Sequence, residues 1–356
     1  MSRLVMATRH RVAHTVISLG GPGAWGAPLS AAGIPVLCIG MQRIGVNPLD
    51  WYRVIRALRG ARADVVQTWM YHSDLVGGVA GRIAGSRAIA WGVRNLELPS
   101  RSSRLSTRMV RRICAWLSNS LPDVIICSSR AAAAHHRDAG YAADKLVVIH
   151  NGVDTAVYRP DEKARARLRD AWAVPASVPV VGMVARWDPL KDHTTLLGAL
   201  GRLVREFPEV RCVLAGAGID TSNADLARLL RDSGIAGRVM LLGCRDDVAD
   251  IMNAIDLHVL SSCSESFPNV VAEAMACGTP CVSTNVGDAA LITGEFGAIV
   301  PPRDPERLAH AMSRCLSDSA SASSRAQRRQ WIEREFAIEA MAGRFMETWL
   351  RIGGTA

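Results

Sequence analysis

The sequence reads as an α/β protein built from two doubly wound, parallel-sheet domains that face each other across a cleft. Three observations carry this. Twelve short runs of Val, Ile and Leu recur without polar alternation, as parallel strands buried on both faces require. Helix-length segments separate them, the alternation that winds helices over both faces of a sheet. The length of 356 residues exceeds one ordinary domain and suits two.

In the first half, strands are expected at His14–Leu19, Pro35–Ile39, Asp64–Thr68, Ala88–Gly92, Asp123–Cys127 and Lys145–Ile149. In the second, they are expected at Pro179–Val184, Val210–Ala215, Arg238–Leu242, Asp256–Leu260, Pro280–Ser283 and Ala298–Val300. The alternation breaks near His150–Pro160, passes through the helix-prone Asp161–Asp170 and resumes after Pro175–Pro179. The domains are therefore set at residues 1–160 and 161–335, with 336–356 as a terminal helix. Ligands of such sheets lie at the carboxyl ends of the strands.

Composition narrows the class. Hydrophobic content of 49% against 21% charged residues excludes a largely disordered chain. Val12–Gln42 carries no Asp, Glu, Lys or Arg, but Gly20, Gly21, Gly23, Gly26, Gly33 and Gly40 and Pro22, Pro28 and Pro35 divide it into two strands and a loop rather than a membrane span. Arg9 and Arg11 ahead of Val12–Leu19 resemble a secretory signal, against which His14 and Thr15 stand inside the apolar run. Nine cysteines without C-x-x-C spacing fit a reducing compartment, so a cytoplasmic location is expected. Residues 1–160 hold 20 Lys and Arg against 8 Asp and Glu, whereas 161–356 hold 22 against 25. The basicity therefore belongs to the first half, which suits an anionic membrane or a polyanionic substrate. Nucleic acid is disfavoured, since aromatic residues make up only 5% and no recognition motif occurs.

The second half carries the specific motifs. After the strand ending at Val184, Arg186 and Lys191 flank a turn before the helix Thr194–Leu203; they form an anion clamp or are two solvated cations. Gly216-Ala217-Gly218 closes the next strand, either as a turn or to let the backbone approach a ligand. The string Glu265-Ser266-Phe267-Pro268-Asn269-Val270-Val271-Ala272-Glu273 runs from a loop into a helix that Gly278 ends. Free backbone N–H groups at that helix start favour a diphosphate or a sugar oxygen.

Val180–Leu308 resembles the donor domain of retaining glycosyltransferases of the GT-B fold, the large family 4 with its E-x7-E motif. His150-Asn151-Gly152-Val153-Asp154 with Tyr158-Arg159-Pro160 resembles that family's interdomain signature, and Gly287-Asp288 and Val300-Pro301-Pro302-Arg303-Asp304-Pro305 its later ones. The resemblance spans the chain from about Val16 onward and implies a sugar transferase that assembles cell-surface glycans with retention of configuration. It implies that Arg186 and Lys191 hold the nucleotide diphosphate, that Glu265 contacts the donor sugar and that Glu273 accepts from the ribose. The backbone of Phe267, Pro268 and Asn269 would meet sugar and phosphates; Gly216 and the loop of Arg245 and Asp246 would lie near ribose and base. The family works without a bound metal, and the sequence shows no metal-ligand cluster and implies no cofactor.

In the first half, His72 resembles the family histidine near the donor sugar, and Arg94 is either an acceptor or phosphate contact or a surface arginine. His135 and His136 are read as helix-surface residues without a role. Arg101, Arg104, Arg108, Arg111 and Arg112 cluster beside Leu105, Met109, Ile113 and Trp116. Residues 101–117 thus form a basic amphipathic helix, suited to an anionic bilayer bearing a lipid-linked acceptor or simply packed on the sheet. The resemblance also implies that the last helix crosses back to the first domain.

One departure from the family stands out. Met1–His10 leaves no room for the opening strand, glycine-rich loop and helix, so a βα unit of roughly 30 residues is expected to be missing. A chain extended upstream is expected to be more stable or more active. That departure keeps a second reading open, a catalytically impaired sugar-nucleotide-binding protein; a nucleotide-sugar epimerase is a third. A nicotinamide dehydrogenase is disfavoured, because no G-x-G-x-x-G follows a first strand.

Overall fold

A computed structural model describes residues 1–41, 47–96, 105–318 and 322–354. The chain divides into two compact units, Met1–Gly152 with Ile338–Ala356, and Val153–Ala337. Each of the twelve expected strand positions holds a strand.

The first unit runs α1 (Ser2–Thr8), β1 (Val16–Ser18), α2 (Gly26–Ala31), β2 (Val36–Cys38), α3 (Pro48–Ala61), β3 (Val65–Gln67), α4 (Tyr71–Ala84), β4 (Ala88–Val93), α5 (Leu105–Leu117), β5 (Val124–Cys127), α6 (Arg130–Asp138) and β6 (Leu146–Val148). β1 and β2 form a two-stranded parallel ladder, and β3-β4-β5-β6 form a separate parallel sheet. Alternate residues of β4 and β5 feed two cores. Ile89, Trp91 and Ile125 pack with Tyr71, Cys114 and Tyr141 on one face; Ala90, Val124 and Ile126 pack with Leu4 and Phe345 on the other. Met1–His10 holds the short helix α1, and no strand precedes β1 among the described residues. Leu4, Val5 and Thr8 bury one side of it, and Thr8 Oγ1 donates back to Leu4 O at 2.8 Å.

The second unit runs α7 (Glu162–Ala171), β7 (Val180–Val184), α8 (His193–Leu203), β8 (Arg211–Ala215), α9 (Ala224–Ser233), β9 (Val239–Leu241), α10 (Val248–Ala254), β10 (Leu257–Leu260), α11 (Asn269–Ala276), β11 (Cys281–Thr284), α12 (Ala289–Thr293), β12 (Ala298–Val300), α13 (Pro305–Asp318) and α14 (Ala322–Phe336). Its strands make one parallel sheet in the order β12-β11-β10-β7-β8-β9. The chain winds outward from β7 to β9, then restarts at β10 on the other side of β7. That reversal is a topological switch point, the place where such sheets open a crevice at the carboxyl ends of their strands. Asp256 ties α7 to the sheet: it accepts from Arg169 Nη1 at 3.0 Å and from the Val180 amide at 2.8 Å.

Helix α15 (Ile338–Gly353) belongs to the first unit, burying Met341, Ala342 and Phe345 beside Ile126 and Ile149. The break falls at Gly152–Val153 rather than after residue 160, because Val153 is buried in the second core and its amide donates to Phe336 O at 2.8 Å. Phe336 itself packs in the second unit, so the terminal segment of the first unit starts at Ile338, two residues after the expected 336.

Candidate active site

In the second unit the site grows from the ends of β7 and β10. Beyond β7 the chain runs beside the end of β8, with Ala185 N–H donating to Ala215 O at 2.9 Å and Trp187 N–H to Ala217 O at 2.8 Å. Asp188 then caps a tight turn over Pro189–Lys191 by accepting from Leu190 N–H, and Asp192 caps α8 by accepting from Thr195 N–H. The loop after β10 fastens this turn. Ser261 Oγ donates to the carbonyls of Lys191 and Asp192 at 2.9 Å each, and Cys263 N–H donates to Leu190 O at 2.7 Å.

So held, Lys191 Nζ pairs with Glu265 Oε1, which also accepts from Ser262 Oγ at 2.8 Å. The Lys191 and Glu265 side chains are 17% and 14% exposed, so this pair is partly withdrawn from water. An ammonium and a carboxylate thus sit together, one suited to a phosphate oxygen and the other to sugar hydroxyls. Arg186 does not share this arrangement. Its guanidinium, 62% exposed, pairs with Asp188 Oδ2 at 2.8 Å, so the two cations of the expected clamp have separate carboxylate partners.

The neighbouring glycines are set by close backbone approach. Gly216 has φ +149°, and a Cβ there would lie 2.2 Å from Ala185 O; this is packing between two site loops rather than a bare turn. Gly287 at φ +53° lies against the carbonyls of Glu265 and Ser266, each 2.3 Å from where its Cβ would be. Arg245, in the loop between β9 and α10, donates through Nε to Asp247 Oδ1 at 2.7 Å, and the adjacent Asp246 is exposed. Pro268 precedes α11 and Asn269 opens it, while Glu273 is buried within it. The Phe267 ring packs 5.6 Å from the Phe336 ring in the core of the second unit.

In the first unit, Thr68–Met70 links β3 to α4, and Met70 adopts φ +76°, a conformation that non-glycine residues rarely hold. Three hydrogen bonds hold this segment. Met70 N–H donates to Gly92 O at 2.9 Å, and the buried Asp74 accepts from Thr68 Oγ1 at 2.6 Å and from Gly92 N–H at 3.3 Å. His72 is thereby placed, half-buried, in the first turn of α4. Arg94 is not a surface arginine. Its guanidinium lies 4.9 Å over the Trp69 ring, Nη2 donates to Asn151 Oδ1 at 2.5 Å, and Nη1 is buried with no hydrogen-bond partner among the described residues. Burial pulls its pKa down to about 10.

His136 is not on the helix surface either. It is fully buried; Nδ1 donates to Ala132 O at 2.8 Å, which leaves Nε2 to accept from the Tyr71 hydroxyl at 2.9 Å. Burial lowers its pKa to about 4. The long-range partners of Asp74 and His136 carry no local sequence signal, so both residues escape a sequence reading. The hydroxyl-rich Ser261-Ser262-Cys263-Ser264 run at a strand end did offer one.

Asp74 makes a pH prediction. Burial raises its pKa from 3.8 to about 7, so the folded chain keeps a proton that the unfolded chain has released. This contribution is complete below pH 3.8 and is lost as pH rises through about 7. His136, His193 and His258 are depressed by burial and act in the opposite sense, losing stability as pH falls. Asp74→Asn removes only the first effect. Its melting temperature relative to the parent is therefore expected to rise between about pH 5 and pH 8, and a difference constant across that range contradicts the assignment.

Residues 178–318 match the family model described as glycosyl transferases group 1, and residues 3–157 match glycosyltransferase family 4. Curated relatives include a D-inositol 3-phosphate glycosyltransferase of Corynebacterium urealyticum, 29% identical over 67% of this chain and 62% of that protein. Another of the same name, from Mycobacterium marinum, is 37% identical over 50% of this chain and 38% of its own. The chain thus spans less than two thirds of the length of these relatives. Among solved structures, Anabaena HepE in complex with UDP and glucose superposes with a TM-score of 0.85 and 25% identity, covering 98% of this chain and 94% of that one. Sucrose-phosphate synthase from Thermosynechococcus elongatus gives 0.76 at 24% identity, covering 95% and 98%. The fold is that of the GT-B glycosyltransferases.

Proposed function

We propose that this chain, which carries glycosyltransferase-family domains in both halves, transfers a hexose from a UDP or GDP sugar to a hydroxyl of a glycan or lipid-linked acceptor with retention of configuration. The observation that carries this reading is the Lys191–Glu265–Ser262 cluster at the switch point of the second sheet, beside the start of α11. Lys191, with Arg186 swung from Asp188, takes the diphosphate and stabilises the charge that develops as the glycosidic bond breaks. Glu265 orients the sugar hydroxyls and Glu273 the ribose; the Phe267–Asn269 backbone meets the sugar and phosphates, and Gly216, Arg245 and Asp246 border the nucleoside. Cationic side chains and backbone N–H groups do the work a metal ion does elsewhere, so chelators are expected to leave activity intact. The departing phosphate takes the acceptor proton on the same face of the sugar, which dispenses with a protein nucleophile and retains configuration. His72 borders the sugar and Arg94 the acceptor.

A phosphorylated cyclitol acceptor is a second reading, favoured by the naming of the curated relatives and by the buried Nη1 of Arg94, which has no hydrogen-bond partner among the described residues. The experiment that tests both is proton NMR of the protein with UDP- and GDP-hexoses, with and without inositol phosphate or a lipid-linked glycan. Growth of a product signal with the donor's anomeric configuration is expected. An inverted product, conversion of the donor sugar without acceptor as an epimerase would give, or donor binding without transfer would overturn it.

The product is assembled at the cytoplasmic face of a membrane in this reading, as part of cell-surface polysaccharide synthesis. No helix among the described residues is long and apolar enough to cross a bilayer. α5 instead exposes Met109 (65%), Ile113 (37%) and Trp116 (77%) at helical spacing, flanked by Arg108 and Arg112; Arg101 and Arg104 lie outside the described residues. Such a ridge suits a peripheral helix whose apolar side chains enter the headgroup layer. Trp116→Ala with Met109→Ala is expected to reduce sedimentation with phosphatidylglycerol vesicles at least tenfold. Equal sedimentation of parent and variant contradicts the peripheral contact.

A further inference from the structure

The outer edge of the second sheet carries a groove of about 1430 Å³, walled by residues of β12, α13 and α14. β12 is the terminal strand of that sheet. The loops of Lys191 and Glu265 follow β7 and β10, which stand three and two places inward, and neither residue lines the groove.

Arg328 of α14 forms part of the wall and is only 5% exposed. Nε donates to Gly278 O at 2.9 Å, the one hydrogen bond of this guanidinium among the described residues, and Nη2 is buried without a partner. Burial lowers its pKa, and the groups acting on its charge are Arg325 and the thiols of Cys281 and Cys315, with no carboxylate among them. Burial raises the pKa of both thiols, so neither supplies a negative charge. A buried cation is costly unless an opposite charge or a full set of acceptors accompanies it. Arg169 of the same unit, equally buried, has both: Asp256 at 3.0 Å and the carbonyls of Ala254 and Pro175. Arg328 lacks a counterion.

A second cation faces the same lack. Arg314 of α13 lines the groove, and its guanidinium makes no ion pair or hydrogen bond among the described residues. Arg314 and Arg328 both act on the Cys315 thiol, which places them at one end of the groove. His310, one turn earlier on α13, lines it too. The acids on the walls are Glu295, Asp304, Glu306 and Asp318. Asp304 is engaged by Arg307 at 3.5 Å and caps α13 by accepting from Arg307 N–H, while the other three are exposed, where water and salt screen them.

We propose that this groove binds a phosphate monoester of a small hydroxylated molecule, its phosphate group held between Arg328 and Arg314. A tetrahedral dianion offers oxygens to two planar forks at once and supplies the charge that this end of the groove lacks. The groove extends well beyond the two arginines, and its exposed carboxylates accept from hydroxyl groups. The same carboxylates repel a ligand that is anionic along its whole length, such as a nucleic acid strand.

The test uses the intact protein at constant ionic strength, with chloride replaced by glycerol 3-phosphate or by inorganic phosphate. Glycerol 3-phosphate is expected to raise Tm saturably by about 3 °C or more, with an affinity at least about fivefold above that of inorganic phosphate. Amide exchange should slow in residues 295–300 and 324–330 and not in the loops of Lys191 and Glu265. Arg328→Met is expected to weaken binding at least about tenfold and Arg314→Gln at least about fivefold. Arg314 is exposed, so its variant decides alone should Arg328→Met fail to fold. Unchanged affinity in Arg314→Gln, or protection confined to the loops of Lys191 and Glu265, overturns the proposal. Equal affinity for the two anions overturns it as well, by leaving the groove an adventitious ion only. None of these readouts uses a sugar donor, so they stand or fall apart from the donor-site reading.

Discussion

Lys191→Ala is expected to lower the rate of sugar transfer roughly 100- to 1000-fold, the loss that follows removal of one preorganised group facing developing charge. The fold should survive, because the turn that carries Lys191 is held through backbone atoms: Ser261 Oγ grips its carbonyl, and Cys263 N–H grips that of Leu190. The variant nonetheless leaves Glu265 Oε1 with Ser262 as its remaining donor. Lys191→Arg tells positioning from charge, since a planar fork cannot reproduce a point ammonium in this pocket and should restore little. Glu265→Gln gives the complementary result, with the larger loss in kcat if the carboxylate acts on the sugar in the transition state. Steady-state kinetics with circular dichroism checks this, and full activity in either variant removes that residue from the site.

The second large effect concerns backbone. Gly216→Ala places a Cβ at 2.2 Å from Ala185 O and 2.5 Å from Ala185 C, in a conformation at φ +149° that L-residues rarely adopt. Neither contact is the end of a flexible side chain, so the two loops must separate. A destabilisation of about 3 kcal/mol is expected, which for a unit of this size lowers Tm by roughly 6–12 °C. Gly216 N–H also donates to Gly243 O at 2.7 Å, so the shift should propagate to the loop bearing Arg245 and weaken donor binding as well. Melting scans of parent and variant check it; a Tm within about 1 °C would contradict both the close backbone approach and the backbone strain assigned to this position.

Much of the fold was legible because its signal is local. Unalternating apolar runs located all twelve strands, and Gly278 marked the end of α11 with φ +81°. The residues at the carboxyl ends of β7 and β10 were likewise found as a motif, since Arg186, Lys191 and Glu265 sit in short loops fixed by neighbouring strands. Pairing was not legible. Arg186 takes Asp188 two residues on, whereas Lys191 takes Glu265 only because two loops far apart in sequence meet. The same holds for Arg94, which reads as a loop cation until Trp69 and Asn151 are seen around it, and for His136, whose neighbour Tyr71 lies 65 residues away. Helix α1 was missed because seven residues are too few to display a period, although Leu4, Val5 and Thr8 do share a buried side.

Titration calorimetry of UDP-glucose and GDP-mannose into the parent protein and Lys191→Ala is the most direct test that the second unit is a nucleotide-sugar donor site. Saturable binding of one of the two is expected, weakened at least tenfold in the variant with the fold unchanged. Absence of heat with both donors, or equal affinity in parent and variant, would contradict it.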